Sequence, residues 1–465
     1  MLFVPLGKTE AIGANCHFML IEGTGLVIDA GADPEEDGPE SVPDFGRITS
    51  RSDWYVDHAL ITHAHHDHIG SLPVLMRRFP HVLVHMTRAT RDLAEFVLPA
   101  SARLQERKLR EGSSIYEPLF GEDELGVYSY LYLTHDLEKD FDVTGVRGGT
   151  PVTARFYHAG HILGAAGVFL TFEEDGRRRR IFYTSDTSSH PQSIIPGGDY
   201  PAPPIDVLFL ESTLGADPEA ELTTRQAEER KLADGLARVV ARGGTALIPV
   251  FALGRAQEIL ALIHRFKKRG RIPDDVPVYT AGSMRAFSEL YDKTRHHSPR
   301  LNPDFQVYDV EQSRLPRNPS ALRGALEGPA IHVVASGMMF ERTNSNRLAQ
   351  KLVEDETHAV FLVGFSREDS PAGRLLAAAE EGPGTEVVLD PEKGPQPVRC
   401  EVHRLRFSGH SHRRELLQLV DRLKPATVAL VHGEAAAKRW MAENIRFFYP
   451  DVHVVIPETG EATEL

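Results

Sequence analysis

Over the first two hundred residues, apolar and polar positions follow each other in short runs. "HFMLIEGTGLVIDAG" (17–31) holds two β-rich runs around a Gly-containing turn, which predicts a hairpin ending in Asp29, Ala30 and Gly31. In "DHALITHAHHDH" (57–68) the run from Ala59 to Thr62 predicts a buried strand that passes straight into a histidine-rich loop. "SLPVLMRRFP" (71–80) predicts a helix of fewer than three turns, stopped by Pro80. "ATRDLAEFVLPASARLQERKLREG" (89–112) has a helical period and is expected to break near Pro99. Residues 90–145 show no pattern that suggests chemistry. Strands resume at 152–172, and "RRRRIFYTSD" and "DVLFLEST" predict two more, ending on Asp186 and Glu211.

After Glu211 the period lengthens. "LTTRQAEERKLADGLARVVARGG" predicts a helix closed by Gly243, and "TALIPV" a buried strand. "GRAQEILALIHRFKKRG" predicts a second helix, with Ile259, Leu262, Ile263 and Phe266 on one apolar face. "DVPVYTAG", "AIHVVASG" and "HAVFLVGF" are strands alternating with helices, a βαβ pattern that implies a parallel sheet. From about residue 400 the short strands return, with "VHRLRFSGHS", the helix "RRELLQLVDRL" and the strand "ATVALVHG". The order predicts one domain interrupted by another, with borders at 1–210, 211–399 and 400–465.

Composition narrows the class. The 465 residues are 41% hydrophobic and 25% charged, ordinary for a globular chain with room for two or three domains. No apolar run approaches ~18 residues, so no membrane span or membrane partner is expected. "MLFVPLGKTE" lacks a basic segment before its apolar patch, which argues against a signal peptide. Cys16 and Cys400 are the two cysteines, too few for a disulfide framework or a thiolate zinc site, and a reducing cytoplasm fits. The net charge of −14 excludes a broadly basic nucleic-acid coat. It does not exclude a cationic site acting within a Debye length of ~8 Å. The basic runs at 176–181, 264–271 and 342–347 read first as solvated surface.

The histidine loop changes the picture. "HAHHDH" places four histidines and one aspartate in residues 63–68. His63 and His65 alternate at a strand end, and Asp67 and His68 follow a turn later, so H-x-H-x-D-H offers two sets of ligands suited to two metals side by side. Imidazole with carboxylate fits zinc, with manganese or iron as competitors. Candidates for the remaining ligands are His161 in "HAGHILGAA", Asp186 in "YTSDTS" and His432 in "LVHGE", each where a strand gives way to a loop. Asp186 would bridge the metals, His161 would join His63 and His65, and His432 would join Asp67 and His68.

These residues resemble the motifs of the metallo-β-lactamase fold, an αββα sandwich. "ESTLG" (211–215), "FALGRAQE" (251–258), "ASGMM" (335–339), "FSGH" (407–410) and "VHGE" (431–434) further resemble the β-CASP nucleases, in which an α/β cassette is inserted into that sandwich. The resemblance implies a dinuclear zinc phosphodiesterase acting on single-stranded RNA, an endonuclease with 5′-to-3′ exonuclease action left open. It places Asp29 behind the ligands, orienting one of them. A histidine at the position of His432 points to RNA rather than DNA. A hydroxide shared by the metals would attack phosphorus, with Asp67 and Asp186 serving both as ligands and in catalysis. His410 would protonate the leaving oxygen, and Glu211 would orient and charge its ring. Ser336, Gly337, Arg255 and Arg374 would meet phosphates. A partner protein is expected to supply affinity, and a homodimer is left open.

The sequence departs from the family pattern in three places. Leu214 stands where tyrosine commonly precedes Gly215, and His412 stands where an acidic residue is frequent. "GFSREDSPAGRLL" matches its family stretch only in part, at Gly373 and Arg374. Two other readings share some features: a small-molecule hydrolase acting on a thioester, lactone or lactam, and a non-catalytic RNA-binding subunit.

Overall fold

The apolar run that opens the chain folds as three antiparallel strands, Leu2–Pro5, His17–Ile21 and Thr24–Ile28, with Leu2 opposite Leu20 and His17 opposite Ile28. His58–Leu60, Leu83–Thr87 and Tyr132–His135 add to them in parallel, and Thr463–Glu464 pairs on the far side of Leu2–Pro5, completing seven strands. A second seven-stranded sheet runs in the order His453–Val455, Thr427–Val431, Val207–Glu211, Arg177–Tyr183, Ala166–Glu174, Thr153–His158, Asp140–Asp142. This computed structural model describes residues 1–465.

The alternation read from the sequence decides how these sheets pack. Phe3, Met19, Leu26 and Ile28 of the first sheet bury against Phe156, Val168, Tyr183 and Phe209 of the second. The opposite face of the first sheet, through Phe18, Val27 and Val84, packs on Leu72, Leu75, Leu98 and Ala102 of two helices. The outer face of the second, through Phe182, Leu208 and Leu430, packs on Leu416, Val420, Met441 and Ile445. Helix, sheet, sheet and helix are thus stacked as four layers, the αββα arrangement.

The helix expected to break near Pro99 runs unbroken from Arg88 to Arg110 with Pro99 inside it. The hydrogen bond lost at proline is the one to the carbonyl of Glu95, an exposed residue whose carbonyl can turn to water. Leu93, Ala94, Leu98 and Ala102 hold the opposite face in the core, and tertiary burial outweighs the local penalty.

The chain divides into two compact units. The first takes Met1–Pro191, Gly197–Glu221 and His410–Leu465, and contains both seven-stranded sheets. The second takes Gln192–Pro196 and Leu222–Gly409. Its sheet is parallel throughout, in the order Ser313–Arg314, Val278–Thr280, Ala330–Val334, Thr245–Pro249, Ala359–Leu362, Glu401–Arg404. The main part of the second unit starts at Leu222, eleven residues after the expected border, and because Glu401–Arg404 joins this sheet beside Ala359–Leu362 it extends ten residues past the expected border at 399. The short stretch 192–196 belongs there because buried Glu258 accepts the backbone N–H groups of Ser193, Ile194 and Ile195. No helix is long and apolar enough to cross a membrane.

Candidate metal centre and active site

The strand His58–Leu60 ends, and the chain leaves the sheet through Thr62 and His63 into a one-turn helix, His66–Ile69, for which His65 is the N-cap. Backbone bonds tie this loop down. Asn15 N–H donates to the Asp67 carbonyl (2.7 Å) and Ala30 N–H to that of His68 (2.9 Å). Gly31 passes so close that a Cβ there would overlap the Asp67 carbonyl, so only glycine fits.

His161 follows the strand Thr153–His158, Asp186 follows Arg177–Tyr183, and His432 follows Thr427–Val431. All three strands belong to the second sheet and end at the same edge region as the histidine loop. The ligand atoms of His63, His65, His161 and Asp186 lie within 4.8 Å of one another, as do those of Asp67, His68 and His432. Asp186 reaches both sets. Its Oδ2 is 3.7 Å from His63 Nε2, 3.6 Å from His161 Nε2 and 3.5 Å from His68 Nε2, while Oδ1 is 3.3 Å from His432 Nε2. Asp67 Oδ2 lies 3.7 Å from His68 Nε2 and 3.9 Å from His432 Nε2.

This donor set fits divalent metal. His68 Nε2 and Asp186 Oδ1 are buried and make no hydrogen bond, although each faces its neighbours at close range. Buried polar atoms are rarely left so, because an unpaired one costs ~1–3 kcal/mol. Imidazole nitrogens converging on carboxylate oxygens are a cation's donor set and suit zinc, manganese or iron.

Behind the ligands, Asp29 is fully buried. Its Oδ2 lies 2.8 Å from His68 Nδ1, so that ring donates through Nδ1 and presents Nε2 to the cluster. Thr62 N–H and Oγ1 and Asn15 Nδ2 donate to the same carboxylate at 2.7–2.9 Å. Asn15 and Thr62 escape a reading of the sequence, since nothing in their spacing marks them. Asp29, Ser185 and His432 all sit at positive φ (+60°, +57° and +41°), strained backbone gathered at one place.

Beside the clusters, Asp186, Glu211 and His410 form a third group. Glu211 closes its strand fully buried, and both its oxygens lie 3.1 Å from His410 Nδ1. Thr187 N–H holds Oε1 at 2.8 Å. The His410 ring is 4.5 Å from that of His161. Burial disfavours the imidazolium, but the carboxylates of Glu211, Asp186 and Asp67, Glu211 foremost, together outweigh it, and the pKa rises to about 9.

The four other expected residues all lie in the second unit. Ser336 and Gly337 follow the carboxyl end of Ala330–Val334, where open α/β sheets bind ligands. Arg255 opens the helix Arg255–Lys268 and reaches Gln192 Oε1 at 3.4 Å; burial and the nearby Arg225 lower its pKa to about 10. Arg374 spends its donors on the carbonyls of Val388 and Asp369. Of the basic runs, 176–181 and 264–271 are largely tied to their own neighbours, as in Arg177–Asp206, Arg179–Glu174 and Arg265–Glu229.

Residues 10–212 match the family described as the metallo-beta-lactamase superfamily, 256–375 the Beta-Casp domain, and 395–457 the Zn-dependent metallo-hydrolase RNA specificity domain. The chain is 29% identical to Endoribonuclease YSH1 of Kluyveromyces lactis, over 93% of this chain and 55% of that protein. It is 28% identical to an RNase J-like protein of Methanocaldococcus jannaschii, over 97% of this chain and 98% of that one. Identity to the Cleavage and polyadenylation specificity factor subunit 3-I of Arabidopsis thaliana is 26%, over 100% and 64%. The chain thus spans about half the length of the fungal endoribonucleases it matches. A crystal structure of a protein of unknown function from Enterococcus faecalis V583 shares the fold, with a TM-score of 0.56 at 15% identity, covering 100% of this chain and 99% of that one.

Proposed function

The chain belongs to the β-CASP branch of the metallo-β-lactamase superfamily, and from that premise we infer that it is a metal-dependent ribonuclease hydrolysing phosphodiester bonds in single-stranded RNA. The observation that carries this reading is the pairing of buried Glu211 with half-buried His410 beside a full set of metal donors. A hydrolase of small activated esters needs the donors but has no use for a second, carboxylate-backed histidine.

His63, His65, His161 and Asp186 would hold one ion, and Asp67, His68 and His432, with Asp186 shared, the other. Two zinc ions are the reading the donors favour, with manganese or iron as substitutes. When bound, they supply Lewis-acid charge for a phosphoryl group and acidify water toward neutral pH. The rest falls to the chain. Asp29 keeps His68 in one tautomer and one orientation. Glu211 holds the Nδ1 proton of His410, so that Nε2 is the atom that gives a proton to the departing ribose oxygen. The products would carry 5′-phosphate and 3′-hydroxyl ends. Ser336, Gly337, Arg255 and Arg374 are the proposed phosphate contacts of the second unit. The RNA specificity match and the subunit named among the relatives support an RNA substrate and work within an assembly, with a homodimer as the simpler form. Two buried, unpaired cysteines support a reducing cytoplasm.

The test uses purified full-length protein with end-labelled and internally labelled RNA and DNA, with and without chelator, beside elemental analysis. RNA should be cut in preference to DNA, chelator should abolish cutting, and about two metal ions should be found per chain. Equal rates on both nucleic acids, or thioester hydrolysis with RNA untouched, would sink the proposal.

A further inference from the structure

Three neighbouring strands of the second unit's parallel sheet, Ala330–Val334, Thr245–Pro249 and Ala359–Leu362, each lead at their carboxyl ends into a loop carrying an exposed phenylalanine. Phe340 is 46% exposed, Phe251 38% and Phe365 52%. A single exposed apolar ring is ordinary, but three at the carboxyl edge of adjacent strands are not scattered. The surroundings keep the rings open. A Cβ on Gly337 would stand 3.2 Å from the Cδ2 and Cε2 atoms of Phe251, and one on Gly364 would stand 3.4 Å from Cε2. Phe251 therefore lies against bare backbone from both neighbouring loops, held in place without a side chain laid over it. The backbone of Phe340 is fixed by its N–H donating to Ser336 Oγ at 3.2 Å.

Two of the rings are followed in their own loops by an arginine, Phe340 by Arg342 and Phe365 by Arg367, while Arg255, the arginine after Phe251, already opens a helix and turns to Gln192. The Arg342 side chain is 65% exposed, and its contact with exposed Glu392 at 3.7 Å is too weak to keep it from a phosphate. Arg367 is held in place by Asp369. Apolar faces alternating with guanidinium groups are the complement of a single nucleic-acid strand, in which flat bases alternate with phosphates. A duplex has no base faces to offer.

We propose that Phe251, Phe340 and Phe365 form a stacking platform for the bases of single-stranded RNA. The choice of RNA as ligand rests on the ribonuclease reading; the platform rests on the rings. It makes the enzyme selective for unpaired RNA whatever its sequence, because every base has a π-face.

Fluorescence anisotropy of the metal-loaded full chain tests this. The probes are a labelled, phosphorothioate-linked oligouridine of about twelve nucleotides and an abasic oligomer of the same length and linkage. The wild type should bind the oligouridine at least about tenfold more tightly than the abasic strand, one stacked base being enough for that ratio. In Phe340→Ala with Phe365→Ala the ratio should fall toward one, and Phe365→Trp alone should preserve it. Equal binding of the two probes by the wild type, or an unchanged ratio in the alanine variant, overturns the platform; the latter would leave the rings as a protein-docking face. A parallel cleavage assay separates the two ideas. A wild type that favours the base-bearing strand but cuts no RNA keeps the platform and loses the ribonuclease reading. A wild type that cuts RNA without favouring bases does the reverse.

Discussion

At the scale of single residues, the proposed division of labour between metal donors and proton donor is open to the sharpest test. His410 stands outside both metal sets, tied to Glu211. His410→Ala should keep its metal content and lose RNA cleavage by roughly 10²–10⁴-fold, the usual worth of a positioned acid. Bis(p-nitrophenyl) phosphate releases a group that departs without a proton, so its hydrolysis should fall far less. Glu211→Gln should show the same split more mildly. Steady-state rates on the two substrates, read against metal content, check this; an equal loss on both would assign His410 to positioning instead. The histidine loop was legible because its residues are neighbours in the chain. Asn15 and Thr62 were not, because Asn15 meets Asp29 only once the first hairpin has paired, and the Tyr183 hydroxyl that Asn15 also reaches comes from the other sheet.

At the scale of elements, tight backbone packing holds the site. Gly31 lies against the Asp67 carbonyl, and the bonds from Asn15 and Ala30 fasten the same turn. Gly31→Ala forces the loop carrying Asp67 and His68 to move. It should lower stability by about 1–3 kcal/mol and loosen at least one metal ion, read by denaturant titration and by elemental analysis after dialysis. Unchanged metal retention would show that the loop gives way without disturbing its ligands. The same scale holds the feature least visible beforehand. His58, His85 and His135 come from three adjacent strands and form a chain, with His58 Nδ1 3.0 Å from His85 Nε2 and His85 Nδ1 2.9 Å from His135 Nε2. Residues 90–145 gave no hint of chemistry because one histidine per strand has no local pattern; only the order of the strands brings them together. The unbroken helix through Pro99 teaches the same point, since its inner face is defined by what it packs on.

For the whole molecule, that histidine chain predicts how stability responds to acid. Burial, then the neighbouring His58 and His135, lower the His85 pKa to about 3 from the ordinary 6.5. The unfolded chain therefore binds a proton that the folded one refuses, and stability that is full above pH 6.5 should drain away as pH falls toward 3. The loss from this group should amount to a few kcal/mol at most. His85→Gln, compared with the parent by denaturant midpoints from pH 7 to 4, should give a shallower slope; parallel slopes would remove His85 as the cause. The interruption of one unit by another was legible in the change of period after Glu211. Its borders were not: the first falls eleven residues later than expected, and at the far one Glu401–Arg404 looks like any short strand and its sheet is chosen by tertiary pairing.

That interruption also bears on how the protein is made. The first unit's second sheet joins Val207–Glu211 to Thr427–Val431, and His410 and His432 arrive only after the whole second unit has been synthesised. A nascent chain that stalls, or a message cut short, releases a product holding His63, His65, His161 and Asp186 but neither the proposed acid nor the last ligand. On the ribonuclease reading, a cell translating this gene would thus be spared half-built enzymes loose among its own transcripts, because the proposed capacity to cut depends on the final eighth of the chain.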